Sequence, residues 1–374
     1  MNGPSPAPIV ALVGPRDRPV DGVRDYCARL EAAVGKLGAR LDLVEMRWDT
    51  DGWPRALRRL DAMSRTWRGR SVLAQYTHGM WPWRGFPFGL LGLLRALGNN
   101  GARATVVLHD PSPFPGARVR DRARRWAQVS VMRRAVRTAH RVVSTVSPAR
   151  VRWMRDQAMD DKVAFIPVGS NVPEPDPGQR AADRRPGRPR RVVVFGVTGG
   201  RNIPAEVTAR EVEAIAYAVT QVARQVPGLR LEVFGRGSEE AAGRLATAFA
   251  GTAVPVSVLG LLPAEAVPRL LGQADALLYV RGHLSTRRTT GVAAIASGLP
   301  IVGYEGDETD YPVREAGALL VPAGDRVGLA RALARVLLEE DLWQELSRRN
   351  VLAHGRYFSW DVIARRYLEL LADD

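Results

Sequence analysis

The chain has 374 residues, 46% of them apolar, and one cysteine. That content supports a large core, the length favours two domains over one, and a lone Cys27 excludes an intrachain disulfide or a cysteine-based metal site. The formal charge of +15 raises nucleic acid or an anionic membrane surface as partners. Nearly all of it is arginine, however, with lysine only at Lys36 and Lys162, as a GC-rich genome also produces, and no nucleic acid is expected.

In chain order, the opening MNGPSPAPIVALVGPRD runs into a strand without a basic leader, and no uncharged apolar run reaches the roughly 18 residues needed to span a bilayer. A cytoplasmic protein is expected, with peripheral contact at the inner membrane surface as an addition. DGVRDYCARLEAAVGKLG reads as an amphipathic helix holding Cys27 among core positions, LDLVEM and SVLAQYTHG as strands, FGLLGLLRALGNNG as an apolar helix, and ATVVLHD and RVVSTVS as strands. In RVRDRARRWAQVSVMRRAVRTAHR, Val119, Ala123, Trp126, Val129, Met132 and Val136 recur at helical spacing with arginines opposite, which is either a solvated face or a membrane-surface helix.

From Pro173 to Arg191 the proline- and charge-rich PEPDPGQRAADRRPGRPRR reads as a linker. Beyond it RRVVVFG, LRLEVFG, VPVSVLG, ADALLYV, LPIVGYEG and GALLVPAG repeat the strand pattern between helices. Such alternation predicts two doubly wound, Rossmann-like α/β domains, residues 1–172 and 192–355 with a linker at 173–191. Ligands in open α/β folds bind at the carboxyl ends of the strands, so two such domains facing a central cleft suit a two-substrate enzyme.

The segment LSTRRTTGVAAIASGLPIVGYEG carries the clearest chemistry. Thr289 or Thr290 can cap a helix from Gly291 to about Ser297, stopped by Gly298 and Pro300. Its free amides and dipole favour an anion, Gly291 permits close approach, and Arg287 or Arg288 can grip two oxygens. A dinucleotide site on GVTGG or FGRGSEEAAG fails for want of the full glycine pattern with an acidic residue downstream; Gly235 and Gly237 instead shape a strand-end turn. VVLHD puts His109 and Asp110 at the carboxyl end of a buried strand. In QYTHGMWPWRGFPFG, Trp81, Trp83, Arg84 and Phe86 form either an aromatic wall for an acceptor or a packed loop, and His78, Asp21 and Gly22 are further candidates to line that side. No clustered ligand motif calls for a metal.

In their order, DGVRDYCARL, VVLHD, VVVFG, LEVFGRGSEE, VSVLGLLPAEAVPRLLGQADALLYV, AAIASGLPIVG and FSWDVIARRYLELL resemble the retaining glycosyltransferases of family 4, of GT-B fold. The resemblance implies transfer of a sugar from a nucleoside-diphosphate sugar, as co-substrate with no further cofactor, to a hydroxyl of a metabolite or a glycan or lipid-linked acceptor. It implies a closing helix, 356–374, that returns to the first domain, and a diphosphate held by Arg287, Arg288, Thr289, Thr290 and Gly291. Arg201 lies near a family lysine position, Gly196, Gly235, Gly237 and Ser285 lie on the nucleotide side, and His109 with Asp110 meets sugar or acceptor. The chain departs from the family at its two glutamates, replaced by Ser285 and Ala293, and STRRTT resembles a branch in which Ser-x-Arg-Arg-Thr takes their place. A nucleotide-sugar epimerase and a non-catalytic protein binding anionic surfaces or glycans are the alternatives.

Overall fold

A computed structural model describes residues 8–15, 21–81, 85–114, 116, 118–155, 162–176, 188–199 and 204–372. The chain divides into two compact units: the residues up to Val168 together with those from Trp360 onward, and Gly169–Ser359.

The first unit is a six-stranded parallel sheet of β1 (Ile9–Val13), β2 (Leu41–Glu45), β3 (Ser71–Tyr76), β4 (Arg103–Leu108), β5 (Arg141–Ser144) and β6 (Val163–Phe165), in the order β2-β1-β3-β4-β5-β6. The second holds β7 (Arg191–Phe195), β8 (Arg230–Phe234), β9 (Val256–Gly260), β10 (Ala276–Tyr279), β11 (Ile301–Tyr304) and β12 (Ala318–Val321), also all parallel, in the order β12-β11-β10-β7-β8-β9. Inner strands of a parallel sheet are covered on both faces, so they are written as unbroken apolar runs; β1 and β10, IVALV and ALLY, are buried along their whole length. Both predicted doubly wound domains are therefore present. In each, the strand order reverses direction at one place, between β1 and β3 and between β7 and β10, and such a switch point opens a crevice at the carboxyl ends of the two strands.

Local chemistry fixes the surrounding helices. Asp21 caps the Gly22–Lys36 helix by accepting from the amides of Val23 and Arg24 at 3.1 and 3.0 Å. That helix buries Tyr26, Cys27, Leu30, Ala33 and Val34, the period expected of one apolar stripe, and burial pushes the Cys27 thiol well above its ordinary range. The Trp360–Ala372 helix packs on it, with Tyr26 Oη donating to Tyr367 Oη at 2.9 Å and the Tyr26 and Trp360 rings edge to face at 5.1 Å. The last helix therefore starts at Trp360, while His354–Phe358 stays in the second unit.

Residues 177–187 of the expected linker lie outside the described residues. Those just before β7 belong to the second unit: Arg188 and Arg190 pair with the fully buried carboxylate of Asp275 at 3.1 and 3.3 Å, and the Arg191 amide donates to the same group at 2.8 Å. No helix among the described residues is long and apolar enough to cross a membrane.

Candidate functional site

In the second unit the switch point is built from two loops. After β7 the chain turns at Gly196, with φ of 86°, and its amide donates to Phe234 O at 2.7 Å while that of Val197 donates to Arg236 O at 3.1 Å. Gly235 and Gly237, with φ of 87° and 81°, form the turn after β8. A side chain at Gly237 would collide with the Val197 carbonyl oxygen, and one at Gly235 would meet the Phe195 ring at 2.8 Å. These glycines let two strand-end loops touch backbone to backbone. Glu211, from the Ala205–Ala223 helix, locks the first loop: its carboxylate accepts from the amide and the hydroxyl of Thr198, both at 2.6 Å. Burial raises the Glu211 pKa, offset in part by those hydrogen bonds and by the charges of Arg281 and Arg288.

After β10 the chain continues through Arg281 to the Thr289–Ala296 helix. Arg281 Nη1 lies 3.4 Å from where a Cβ on Gly196 would stand, so the glycine makes room for the guanidinium. Arg281 is lowered from its ordinary value by burial first, with Arg288 and Arg236 lowering it further against the opposing pull of Tyr279 and Glu211. Neither Arg281 nor Arg288 has a carboxylate hydrogen-bonded to it among the described residues, and Arg288 Nε is buried without a partner. Two half-buried cations thus repel each other at the carboxyl end of β10, partly compensated by Glu211, an arrangement that suits an anion.

The helix begins earlier than its composition suggested. Thr289 and Thr290 are its first residues, not its caps; Arg288 is the N-cap and makes no side-chain capping bond. The first amide to find an acceptor is that of Val292, donating to Arg288 O at 3.0 Å. The amides of Thr289, Thr290 and Gly291 meet no acceptor among the described residues, and these are the orphan donors that bind anions at helix starts. Gly291 has a different reason from the one expected: it is buried, and a Cβ there would run into Leu284 Cδ1. The helix closes as predicted, Gly298 adopting φ of 66° while the Leu299 amide returns to Ala294 O at 2.9 Å.

Arg287 departs from its expected role. Its Nε donates to Glu308 Oε2 at 2.6 Å, and Glu308 is 4% exposed. Ser285, 1% exposed, stands with its Oγ 3.5 Å from the same carboxylate oxygen. Both belong to an internal bracket around Glu308, because a carboxylate so deeply buried needs a charged partner. Ala293 is also buried.

In the first unit, Gly22 opens the first helix behind the Asp21 cap, so the Asp21 carboxylate is committed to backbone amides. His109 follows β4; its Nε2 pairs with Gln75 Oε1 at 2.7 Å and its ring meets Tyr26 edge-on at 4.8 Å. With Gln75 Oε1 as acceptor, Nε2 carries the proton and Nδ1 is left as an acceptor. Burial lowers His109 to about 4, against the opposing pull of Asp110 and Asp21, so the imidazole is neutral at neutral pH. Asp110 Oδ2 accepts from the His78 amide at 3.2 Å, and His78 Nε2 lies 2.5 Å from Ser112 O. Trp81 does not form an exposed wall. It is 4% exposed, stacked on Trp48 at 5.2 Å with an interplanar angle of 9°, and belongs to the core with Trp53 and Tyr76. Trp83, Arg84 and Arg201 lie outside the described residues.

Sequence reasoning missed Arg281 and Glu211. The only signal for Arg281 was a cation two residues beyond a buried strand, and Glu211 was the one charged residue on a helix face otherwise made of Thr208, Val212 and Ile215.

No protein family and no curated protein matches the chain in sequence. In structure it has the fold of the GT-B glycosyltransferases, two Rossmann-like units each with a six-stranded parallel sheet. It is similar to HepE of Anabaena, solved with UDP and glucose, at 13% identity and a TM-score of 0.68, covering 98% of this chain and 100% of that one. It is similar to sucrose-phosphate synthase of Thermosynechococcus elongatus at 16% identity and a TM-score of 0.71, again over 98% and 100%. A putative UDP-N-acetylglucosamine 2-epimerase of Listeria monocytogenes also shares the fold, at 10% identity and a TM-score of 0.59 over 96% and 94%.

Proposed function

We propose that this protein is a glycosyltransferase that moves a sugar from a nucleoside-diphosphate sugar to an acceptor hydroxyl, with retention, as in family 4. The observation that carries the reading is the second unit's switch point: Arg281 and Arg288 without a bound carboxylate, beside the unpaired amides of Thr289, Thr290 and Gly291. HepE has been solved with UDP and with UDP-glucose, which favours uridine as the carrier here.

In this reading Arg281, Arg288 and the helix amides hold the diphosphate, and Gly196, Gly235 and Gly237 let the nucleotide approach the backbone. As charge grows on the leaving diphosphate these fixed donors stabilise it, each by an amount of the order of 3 kcal/mol for a well-placed group. The leaving phosphate takes the acceptor proton, so no protein nucleophile is required. The two guanidiniums supply the neutralising charge that a metal would otherwise bring. Neutral His109, donating to Gln75 and with Nδ1 left to accept, suits a contact with the acceptor and does not act as an acid.

The test is incubation with a panel of nucleotide sugars, with and without candidate acceptors. Acceptor-dependent release of nucleoside diphosphate is expected. Release of an epimerised nucleotide sugar would move the chain to the epimerases, and nucleotide binding without turnover would make it a binding protein.

A further inference from the structure

The donor site leaves a strongly basic surface of the first unit unexplained. The Val119–Thr138 helix carries seven arginines against one carboxylate, Asp121. Its inner face is Ala127, Val131, Met132, Ala135 and Val136. The apolar residues were expected to form one stripe with arginines opposite, but Val119 and Trp126 are 81% and 71% exposed, on the same side as the exposed Arg122 and Arg137. An indole left in water among arginines has no packing reason to be there; it matches the belt at which helices lie on anionic lipid, aromatic bodies at the headgroup level and arginines among phosphates.

A second observation adjoins it. At the amino ends of β4 and β5, opposite to the strand ends that carry His109, a cavity of about 1070 Å³ is lined by Arg95, Arg103, Arg134, His140, Arg141 and Lys162, with Leu91 and Leu94 contributing apolar wall and no carboxylate among its lining residues. Arg134 comes from the same helix and stands one turn from Arg137. The guanidiniums of Arg95, Arg122, Arg134 and Arg137 pair with no carboxylate among the described residues. A surface evolved only for solubility would intersperse both signs of charge.

We infer that the Val119–Thr138 helix and the adjoining groove dock the protein on an anionic lipid bilayer, Trp126 and Val119 entering the interface and the groove receiving a phosphate-bearing headgroup. Charge complementarity selects this occupant, and the exposed indole separates it from a purely polyanionic one.

The experiment is flotation of the full-length protein with phosphatidylcholine vesicles, with and without a phosphatidylglycerol fraction, at low and physiological salt. Binding is expected only with the anionic lipid, weakening as salt rises. Each arginine near such a surface is worth about fivefold in partitioning, so Arg122→Gln/Arg134→Gln/Arg137→Gln should bind about a hundredfold more weakly. Trp126→Ala should lose binding by about tenfold while keeping its salt dependence. All four side chains are exposed, and an unchanged melting curve certifies the fold of each variant. Equal binding to neutral and anionic vesicles, no binding to either, or full binding by the triple variant would overturn the inference. Binding to single-stranded RNA at physiological salt without vesicle binding would do so too and would assign the surface to nucleic acid.

Discussion

Arg288 is the residue whose replacement most directly separates an anion site from a structural cation. In the ligand-free protein Arg288 is a half-buried cation whose charge depresses Arg281 and whose Nε has no partner. A buried donor left unmade costs about 1–3 kcal/mol, so Arg288→Ala removes a penalty along with a side chain. The empty protein should melt no lower than the parent. With a nucleoside diphosphate the sign reverses: a charge-assisted, two-pronged hydrogen bond worth about 1.5–3 kcal/mol is lost, weakening affinity by about tenfold to a hundredfold and erasing most of the thermal shift that the ligand gives. Arg288→Lys restores the charge without the planar fork and should recover binding more than turnover. Arg287→Ala is the control, because it strips the partner from Glu308, 4% exposed; it should cost about 3 kcal/mol of stability and leave diphosphate affinity within a few fold where the protein remains folded. Calorimetric titration and melting curves read both quantities. If Arg288→Ala destabilises the empty protein while binding diphosphate normally, the arginine is structural and the site is elsewhere.

Gly196→Ala forces an alanine into φ of 86° with its Cβ 3.4 Å from Arg281 Nη1; a stability loss of about 1 kcal/mol or more should come with weaker diphosphate binding, and loss of the first without the second would separate the loop from the ligand. Burial lowers His109 to about 4 in the folded chain, from the ordinary histidine value of about 6.5. The unfolded chain therefore takes up its proton first as pH falls, and stability should drop between pH 6.5 and 4 by at most about 3 kcal/mol; denaturant titrations across that window should show a shallower drop for His109→Gln, and an identical slope would contradict the neutral assignment. Because Ala293 stands where the glycosyltransferase family that the sequence resembles carries a glutamate, UDP and its 2′-deoxy analogue should bind within about tenfold of each other, less than a charged hydrogen bond would impose; a larger preference for the ribose form would require another carboxylate at the nucleotide.

The architecture was legible because parallel strands covered on both faces must be apolar runs and their crossover helices must carry one apolar stripe. IVALV, VVVF and ALLY between amphipathic helices leave little freedom. The helix stop at Gly298 was legible for a similar reason, since only glycine enters that left-handed turn without strain. The helix start was not. Threonines at the entrance look like caps, and here they occupy the first turn instead, so the amides that a cap would have satisfied stay open. Whether Trp81 belongs to a binding wall or a packed loop stayed open in the sequence because its partners, Trp48 and Trp53, come from a segment some thirty residues earlier, and ring stacking across that distance leaves no periodic trace. Arg281 and Glu211 escaped for the same reason: seventy residues separate them, and only the sheet order that places β7 beside β10 makes them neighbours.

The sum of charges at the second switch point narrows the class of ligand further than the fold does. Glu308 is taken up by Arg287, which withdraws one cation and one anion together. Glu211 faces Thr198, and its interactions with Arg281 and Arg288 lower its own pKa without binding either guanidinium. What remains among the described residues is Arg281 and Arg288, with Arg236 acting on Arg281, against one carboxylate already taken up by hydrogen bonds, plus three amides on the same helix start with no acceptor among those residues. A single carboxylate ligand would satisfy one fork and leave the other cation and most of the amides unpaired. A diphosphate offers oxygens enough for two forks and for amides as well.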